Sequence, residues 1–326
     1  MFKSASFFRI SSAFVMPAVE ALEEVLQASR FAPCGATQPE SSGWVPPRGQ
    51  KSTVLGEYVG GQLILQLRTE RRSLPASAVK AEVDLMIAKY KEETGRERVG
   101  AKIKKEFKEE AVLNLMPRAF TKSSITTLWI DVKSKFLVVD SGSLSGADKI
   151  VSYLVEALSS IEGAGPGLSA RPVATSMSAA ASMAHWLSSR EAPVGFTVDR
   201  DCELKIPDDQ KSTVRYSRHT LEIDEVAQHI ASGKMPTQLA LTWNDRVSFV
   251  LTDTAQLKKL TLLDVVLDGA KSLENADDGF DADVAIVTGE LSAMIPDLIE
   301  ALGGEQAEEI AGEEAVSENK GVPELV

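Results

Sequence analysis

Two consecutive segments of this 326-residue chain repeat apolar residues at helical spacing, and they constrain its fold more than any other feature. Such spacing places the apolar side chains on one face of an α-helix. The residues are Val79, Val83, Ile87 and Tyr90 in the first segment, and Ile103, Phe107, Ala111 and Leu115 in the second. Because the segments are joined near Thr94-Gly95, we predict two amphipathic helices that pack together as a helical hairpin. Each would be about 24 Å long, enough to project as an arm.

The polar face of this predicted arm is basic, although the whole chain has a net charge of −12. Residues 274–326 contain 15 Asp and Glu against one Lys, whereas residues 68–122 contain 14 Lys and Arg against 9 Asp and Glu. A local positive field can attract phosphates even in an acidic protein. The basic residues on this face are Lys80, Lys89, Lys91, Arg96, Arg98, Lys102, Lys104, Lys105 and Lys108.

The alternative interpretation is a solvated surface helix pair. Charges three or four residues apart commonly form ion pairs along one helix, as Lys102 with Glu106 and Lys105 with Glu109 would do. Both interpretations fit the basic residues equally well, so charge alone does not decide between them.

The rest of the chain predicts an α+β fold built on antiparallel sheets with packed helices. Pro117 ends the second helix, and Lys133–Lys135 is the predicted turn between two strands. Residues 128–140 resemble residues 241–253, which suggests an internal repeat. Strands are predicted at 6–10, 60–68, 124–132, 135–140, 195–198, 202–206 and 213–216 and through Ala240, Val247 and Leu260, with helices at 147–158, 223–232 and 281–302, the last ending at Gly303-Gly304.

These predictions divide the chain into four parts. Residues 1–74 and 118–165 form a central sheet-and-helix body, and residues 75–117 form the helical arm. A linker at 162–172 leads to a second sheet-and-helix half, 166–304. The acidic residues 305–326 are expected to be disordered, because they are poor in apolar side chains.

The sequence contains few residues arranged for catalysis or cofactor binding. The three histidines, at 185, 219 and 229, have no metal-ligand spacing, and nucleotide-binding glycine motifs are absent. Cys34 and Cys202 lie far apart, which indicates a reducing cytoplasm and no disulfide. No apolar run approaches the roughly 20 residues that a bilayer requires. We therefore expect no cofactor, no metal, no membrane contact and no enzymatic activity.

Two catalytic alternatives remain open. Cys34 could be a nucleophile, although the proline- and glycine-rich loop around it favours a structural role and nothing nearby in sequence would lower its pKa. A nuclease metal could bind between Asp131 and Asp140, or between Asp281 and Asp283. Aspartates at strand ends and helix starts are more often caps and turn residues.

Short motifs along nearly the whole chain resemble one known family. They are PCG (33–35), GWVPP (43–47), LPASAV (74–79), LMPRAF (115–120), LWID (128–131), LKKL (257–260), FDAD (280–283), TGEL (288–291) and ALGGE (301–305). Together they resemble the family of recombination-associated protein RdgC. That resemblance implies a bacterial nucleoid protein that binds double-stranded DNA with little sequence preference. It also implies a ring-shaped homodimer that encloses DNA and restrains RecA-promoted strand exchange.

The resemblance also assigns roles to individual residues. It implies that Phe120 docks into a hydrophobic pocket of the partner subunit, and that Arg215, Arg218, His219 and Lys234 face DNA. The chain departs from the family pattern in three places: Arg218 replaces a lysine, His219 a glutamine, and Gly279 the arginine that usually precedes FDAD. The candidate DNA contacts are therefore Lys80, Arg96, Arg98, Lys102, Arg118, Arg215, Arg218, His219 and Lys234. The rival hypothesis is a regulator that binds a recombinase directly and has little affinity for DNA.

Overall fold

The computed structural model describes residues 2–161, 168–207, 209–271 and 279–306. Its first half contains β1 (Ser4–Ile10), α1 (Val19–Ala28), β2 (Glu40–Val45), β3 (Gly56–Val59), β4 (Gln62–Ser73), α2 (Ala76–Thr94), α3 (Ala101–Leu115), β5 (Phe120–Asp131), β6 (Phe136–Val139) and α4 (Leu144–Ser159). The second contains β7 (Ala170–Pro172), α5 (Ala179–Ser189), β8 (Phe196–Ile206), β9 (Asp209–Tyr216), α6 (Asp224–Ala231), β10 (Met235–Trp243), β11 (Val247–Thr252), β12 (Leu257–Leu262), α7 (Asp264–Lys271) and α8 (Gly279–Ala301).

The strands of both halves form one antiparallel sheet, and the predicted α+β class is confirmed. The order is β2-β4-β5-β6-β1-β12-β11-β10-β8-β9, with β3 on β4 and β7 on β1. The halves meet where Ser4 and Ala5 of β1 oppose Lys258 and Leu257 of β12. The sheet is therefore continuous across residue 165, where we drew a boundary from the sequence.

The two segments with similar sequences are both antiparallel hairpins, β5–β6 and β10–β11. Strand β4 lies beside the first and β8 beside the second, so the hairpins occupy matching places in the two halves of the sheet. The prediction of separate strands at 195–198 and 202–206 was wrong. The polar residues Asp199–Asp201 belong to one strand, β8, because a register shift opposite Leu239 and Leu241 accommodates them.

Two hydrophobic clusters cover opposite faces of the sheet. On one face α1 and α4 pack over the first half, around Leu65, Leu128 and Ile130. On the other face α5, α6 and α8 pack mainly over the second half, around Leu239 and Leu241. Strand side chains alternate between faces, so Ala240 and Thr242, which flank the core residue Leu241, lie on the opposite face of the second half. Because α5, α6 and α8 pack on the other face, we call it the helix-free face.

Both predicted helices of the arm are present, with bounds within two residues of the expected 78–93 and 100–116. Gly95, with φ of 66°, ends α2 in a left-handed cap that an L-residue rarely adopts. The ring edge of Phe107 on α3 contacts Tyr90 on α2 at a centroid distance of 5.8 Å. Only Val79 of α2 and Ala111 of α3 are fully buried, so these helices pack chiefly on each other. Projection of the pair as an arm stays a prediction.

The segments predicted to be linker and tail lie partly outside the described residues. Residues 162–167 and 307–326 are not described, whereas Ala170–Pro172 of the expected linker forms β7. Glu305 of the expected tail pairs with Thr175 through the backbone and with Arg9 through its side chain. In the described part of the chain, no helix has the length and apolar character that crossing a membrane requires.

Candidate nucleic-acid interface

The cations of α2, of α3 and of the loop between them are exposed and largely without acidic partners. Among the described residues, Lys89 pairs with Glu93 at 3.8 Å and Lys105 with Glu109 at 3.9 Å. No carboxylate of the described chain lies within 4.0 Å of the others, so the expected Lys102–Glu106 pair is not formed. The cations without such a partner are Lys80, Lys91, Arg96, Arg98, Lys102, Lys104 and Lys108. The solvated-helix interpretation therefore explains only part of this charge.

A short 3₁₀ turn, Met116–Arg118, connects α3 to β5 and positions the predicted dimer contact. The Arg72 guanidinium donates to the carbonyl oxygens of Met116 and Ala119, at 3.2 and 3.3 Å, and fixes this turn. Phe120 follows, opposite Ser73 of β4, and 85% of its surface is exposed. The exposed ring is available for a contact, and its role in a dimer stays a prediction.

Arg215 lies on the helix-free face of the sheet, directly above a buried carboxylate. Its guanidinium pairs with Glu203, whose side chain is 4% exposed, whereas that of Arg215 is 69% exposed. Lys205 Nζ and Thr237 Oγ1 each approach Glu203 Oε1 at 2.8 Å. Burial alone would raise the pKa of Glu203, but hydrogen bonds from Arg215, Lys205 and Thr237 lower it to about 2. The network keeps Arg215 in place while some of its donors face solvent.

Of the other three residues that the resemblance suggests, Arg218 lies on the helix-free face. Arg218 has a φ of 53°, and its backbone nitrogen donates to Asp201 Oδ1 at 2.7 Å. It lines a shallow groove with Ala240 and Val250 on the helix-free face. Arg215 and Arg218 therefore share one surface.

A series of contacts runs from His219 through the rings of Tyr216 and His229 to Lys234. The ring of His219 lies 6.0 Å from that of Tyr216, and the ring of His229 lies 6.5 Å from it. Lys234 Nζ contacts His229 Nδ1 at 3.1 Å. Tyr216 opposes the core residue Cys202 on β8, whereas its neighbour Arg215 opposes Glu203. His219 and Lys234 are therefore linked only indirectly, at the edge strand β9 and on the face opposite Arg215.

The carboxylates considered for a nuclease metal mostly have structural partners. Asp131 Oδ1 accepts from the backbone nitrogens of Lys133 and Ser134, both at 3.0 Å, and forms the β5–β6 turn. Asp140 Oδ1 accepts from the backbone nitrogens of Lys3 and Ser4, and Asp281 pairs with Arg48. Asp283 is exposed. The part of the chain that is described contains no group of three or more His, Cys, Asp or Glu side chains arranged to hold a metal ion.

Cys34 also has a structural environment. Its thiol donates to the backbone oxygen of Glu70 at 3.2 Å, and its backbone nitrogen donates to Glu70 Oε1 at 2.9 Å. Burial and the nearby Glu70 carboxylate raise the pKa of the Cys34 thiol. Since the thiolate is the nucleophile, this environment disfavours covalent catalysis and favours the structural interpretation.

Comparison with known proteins gives consistent matches over nearly the whole chain. A family model described as "Putative exonuclease, RdgC" matches residues 1–305. "Recombination-associated protein RdgC" of Dechloromonas aromatica is 41% identical over 315 residues, covering 94% of this chain and 99% of its own. The protein of that name from Janthinobacterium sp. is 39% identical over 305 residues, covering 93% and 98%. These relatives are named for recombination and not for an enzymatic activity. The chain therefore belongs to the RdgC family of recombination-associated proteins.

Proposed function

We propose that this protein binds double-stranded DNA without sequence preference, as a homodimer that encloses the duplex and limits the access of RecA. The observation that carries the proposal is the set of exposed α2 and α3 cations with no carboxylate within 4.0 Å in the described chain. Unpaired cations are available to phosphates, whereas paired ones must first give up a partner. We further propose that the protein acts in the cytoplasm, in association with the nucleoid.

Lack of sequence preference follows from the kind of contact that these side chains offer. Lysine and arginine on an exposed surface neutralise phosphates and release counterions, which supplies affinity for any duplex. Phosphate contacts fix position, and only contacts to base edges read sequence. Arg215 and Arg218 add donors on the helix-free sheet face.

The homodimer is supported by Phe120, which exposes 85% of its surface on the first residue of β5. A two-fold contact places the same patch of both subunits against each other, so one aromatic residue contributes twice. Closing a ring takes a second self-complementary contact, for which we propose the C-terminal part of the second half. Such a ring must open to load onto DNA without ends.

The primary test is fluorescence anisotropy with a labelled random-sequence duplex at several salt concentrations. We expect the logarithm of the binding constant to fall linearly with the logarithm of salt, by about 0.9 per phosphate contacted. Sedimentation of the protein without DNA should give twice the 35.1 kDa chain mass. Absence of binding, or affinity that is indifferent to salt, would overturn the proposal.

Two other functions give different results in the same samples. A regulator that binds a recombinase directly would show little affinity for free DNA and would inhibit strand exchange even when DNA is saturated. The family description favours testing a nuclease as well. Adding Mg²⁺ or Mn²⁺ to the duplex and protein would shorten the DNA if that activity were present; we expect the DNA to stay intact.

A further inference from the structure

A polar groove lies on the first half of the sheet, where strands β2, β4 and β5 continue past the end of the helical layer. Leu67 of β4 and Leu128 of β5 belong to the core under α4. Side chains alternate along a strand, so each second residue returns to that face. Further along these strands the residues on that face are polar: Thr69 and Arg71 on β4, and Thr126, Ser124 and Lys122 on β5. The groove has a volume of about 500 Å³ and is bordered by α4 through Gly146, Lys149 and Tyr153.

Strand register arranges the groove in two cross-strand rows. In the first row Glu40 opposes Arg71, and Arg71 opposes Lys122. In the second row three hydroxyl residues, Ser42, Thr69 and Ser124, lie side by side across the same strands. Ser42 Oγ and Thr69 Oγ1 are hydrogen-bonded at 3.0 Å, and Tyr153 donates to the Ser42 backbone oxygen at 3.1 Å.

The groove has a net positive charge. Arg71 pairs with Glu40, with Nε–Oε2 at 2.7 Å, and both side chains are about half exposed. Lys122 and Lys149 are exposed, and no carboxylate of the described residues lies within 4.0 Å of either ammonium group. Glu40 therefore offsets one of three cations. Two lysines beside a row of hydroxyls provide the donors that most often contact phosphate oxygens.

We infer that this groove is a second phosphate-binding surface, on which Lys122 and Lys149 contact the backbone of duplex DNA. The inference rests on the proposed DNA binding and extends it to residues outside α2, α3 and the second half. The charge favours a polyanion, and lysines on two different elements, β5 and α4, suit a continuous backbone better than an isolated small anion. The groove faces the same side of the sheet as Arg215, since that side carries α4 in one half and is helix-free in the other.

The test is the double substitution Lys122→Gln, Lys149→Gln in the full chain, measured by anisotropy with a labelled random-sequence 30-base-pair duplex across a salt series. A matched control, Lys51→Gln with Lys133→Gln, removes two exposed lysines that do not line the groove. We expect the groove variant to reduce the salt slope by up to about 1.8 and to weaken binding at least 10-fold at low salt, because two phosphate contacts are lost. The control should change the slope little.

Thermal unfolding by circular dichroism checks that both variants fold, and the Lys122→Arg, Lys149→Arg variant should restore binding because it keeps the charge. Equal weakening in the groove variant and the control would assign the effect to net charge and overturn the inference. Unchanged binding in the groove variant would also overturn it. If the unmodified protein itself lacks salt-dependent binding, the proposed function fails instead, which separates the two outcomes.

Discussion

Glu203 shows how one buried residue can determine what an exposed residue does. Its carboxylate holds Arg215, Lys205 and Thr237 around one point on the helix-free face. Arg215 could be selected from the sequence because the family resemblance implies that it faces DNA. Glu203 could not, since its role depends on strand pairing between β8 and β9 that places it directly opposite Arg215.

Replacing Glu203 with Gln should reduce the stability of the protein in a pH-dependent way. The folded state lowers the pKa of Glu203 from 4.5 to about 2, so the carboxylate stabilises the fold above pH 4.5. That contribution is lost as the pH falls from 4.5 toward 2. We expect Glu203→Gln to lower the free energy of unfolding by roughly 2 kcal/mol at pH 7 and by less at pH 3. Urea unfolding at both pH values measures this.

Glu222→Gln is the matched control. Glu222 is exposed, and this substitution removes the same charge as Glu203→Gln. It should leave the free energy of unfolding within about 0.5 kcal/mol of the unmodified value. An equal cost at pH 7 and pH 3 in the Glu203 variant would show that its carboxylate charge is not what stabilises this region.

Replacing Phe120 with Ala should separate assembly from folding. The ring is 85% exposed in the single chain, so its loss should change the free energy of unfolding by less than about 0.5 kcal/mol. We expect weaker dimerisation by sedimentation and a greater loss of retention on circular DNA than of affinity for a short duplex. Unchanged retention on circular DNA would remove Phe120 from the dimer contact.

At the scale of elements, helices could be predicted from the regular spacing of their apolar residues. Strands with an irregular register could not be predicted as well. The spacing of Val79, Val83 and Ile87 predicted α2 because a helix with one apolar stripe needs no information about its neighbours. The continuity of β8 depends on a register shift against β10, which a polar stretch at Asp199–Asp201 does not reveal. The groove beside α4 was missed for the same reason, since its rows combine residues from three strands. Lys122 was counted within the basic segment, but only register places it beside Arg71.

The α2 and α3 helices should contribute affinity through charge and not through sequence reading. We expect Arg98→Gln with Lys102→Gln to weaken duplex binding uniformly across sequences and to reduce the salt slope by up to about 1.8. Anisotropy with two duplexes of different composition measures both effects. Lys51→Gln with Lys133→Gln again provides a control of equal charge. A loss confined to one duplex would mean that these side chains read bases.

At the scale of the whole molecule, β1 joins the backbones of the two halves. It pairs with β12 at Ser4 and Ala5, and with β7 along Phe8–Ile10. Side chains add to this connection: Arg9 pairs with Glu305, and Arg48 pairs with both Glu57 and Asp281. The Arg48 guanidinium also lies over the ring of Phe280, at 4.7 Å from its centroid. Arg48 therefore connects the loop after β2 to the start of α8.

Replacing Arg48 with Met should weaken the contact between the halves. The change keeps much of the aliphatic chain but leaves Glu57 and Asp281 without their cation, and we expect a cost of roughly 1–2 kcal/mol in the free energy of unfolding. Urea unfolding with Arg30→Met as an exposed control measures it. A cost no greater than that of the control would show that Arg48 does not stabilise the contact.

Phe120 and Lys122 point to the same face of β5, one pleat repeat or about 7 Å apart. Any surface that covers the aromatic ring therefore comes close to the ammonium group as well. An acidic opposing surface would compete with nucleic acid for Lys122, so self-association and DNA retention would antagonise each other. A neutral or basic opposing surface would leave Lys122 available to nucleic acid, so self-association and DNA retention would reinforce each other. The charge of the surface that covers Phe120 thus determines whether self-association favours or opposes DNA retention.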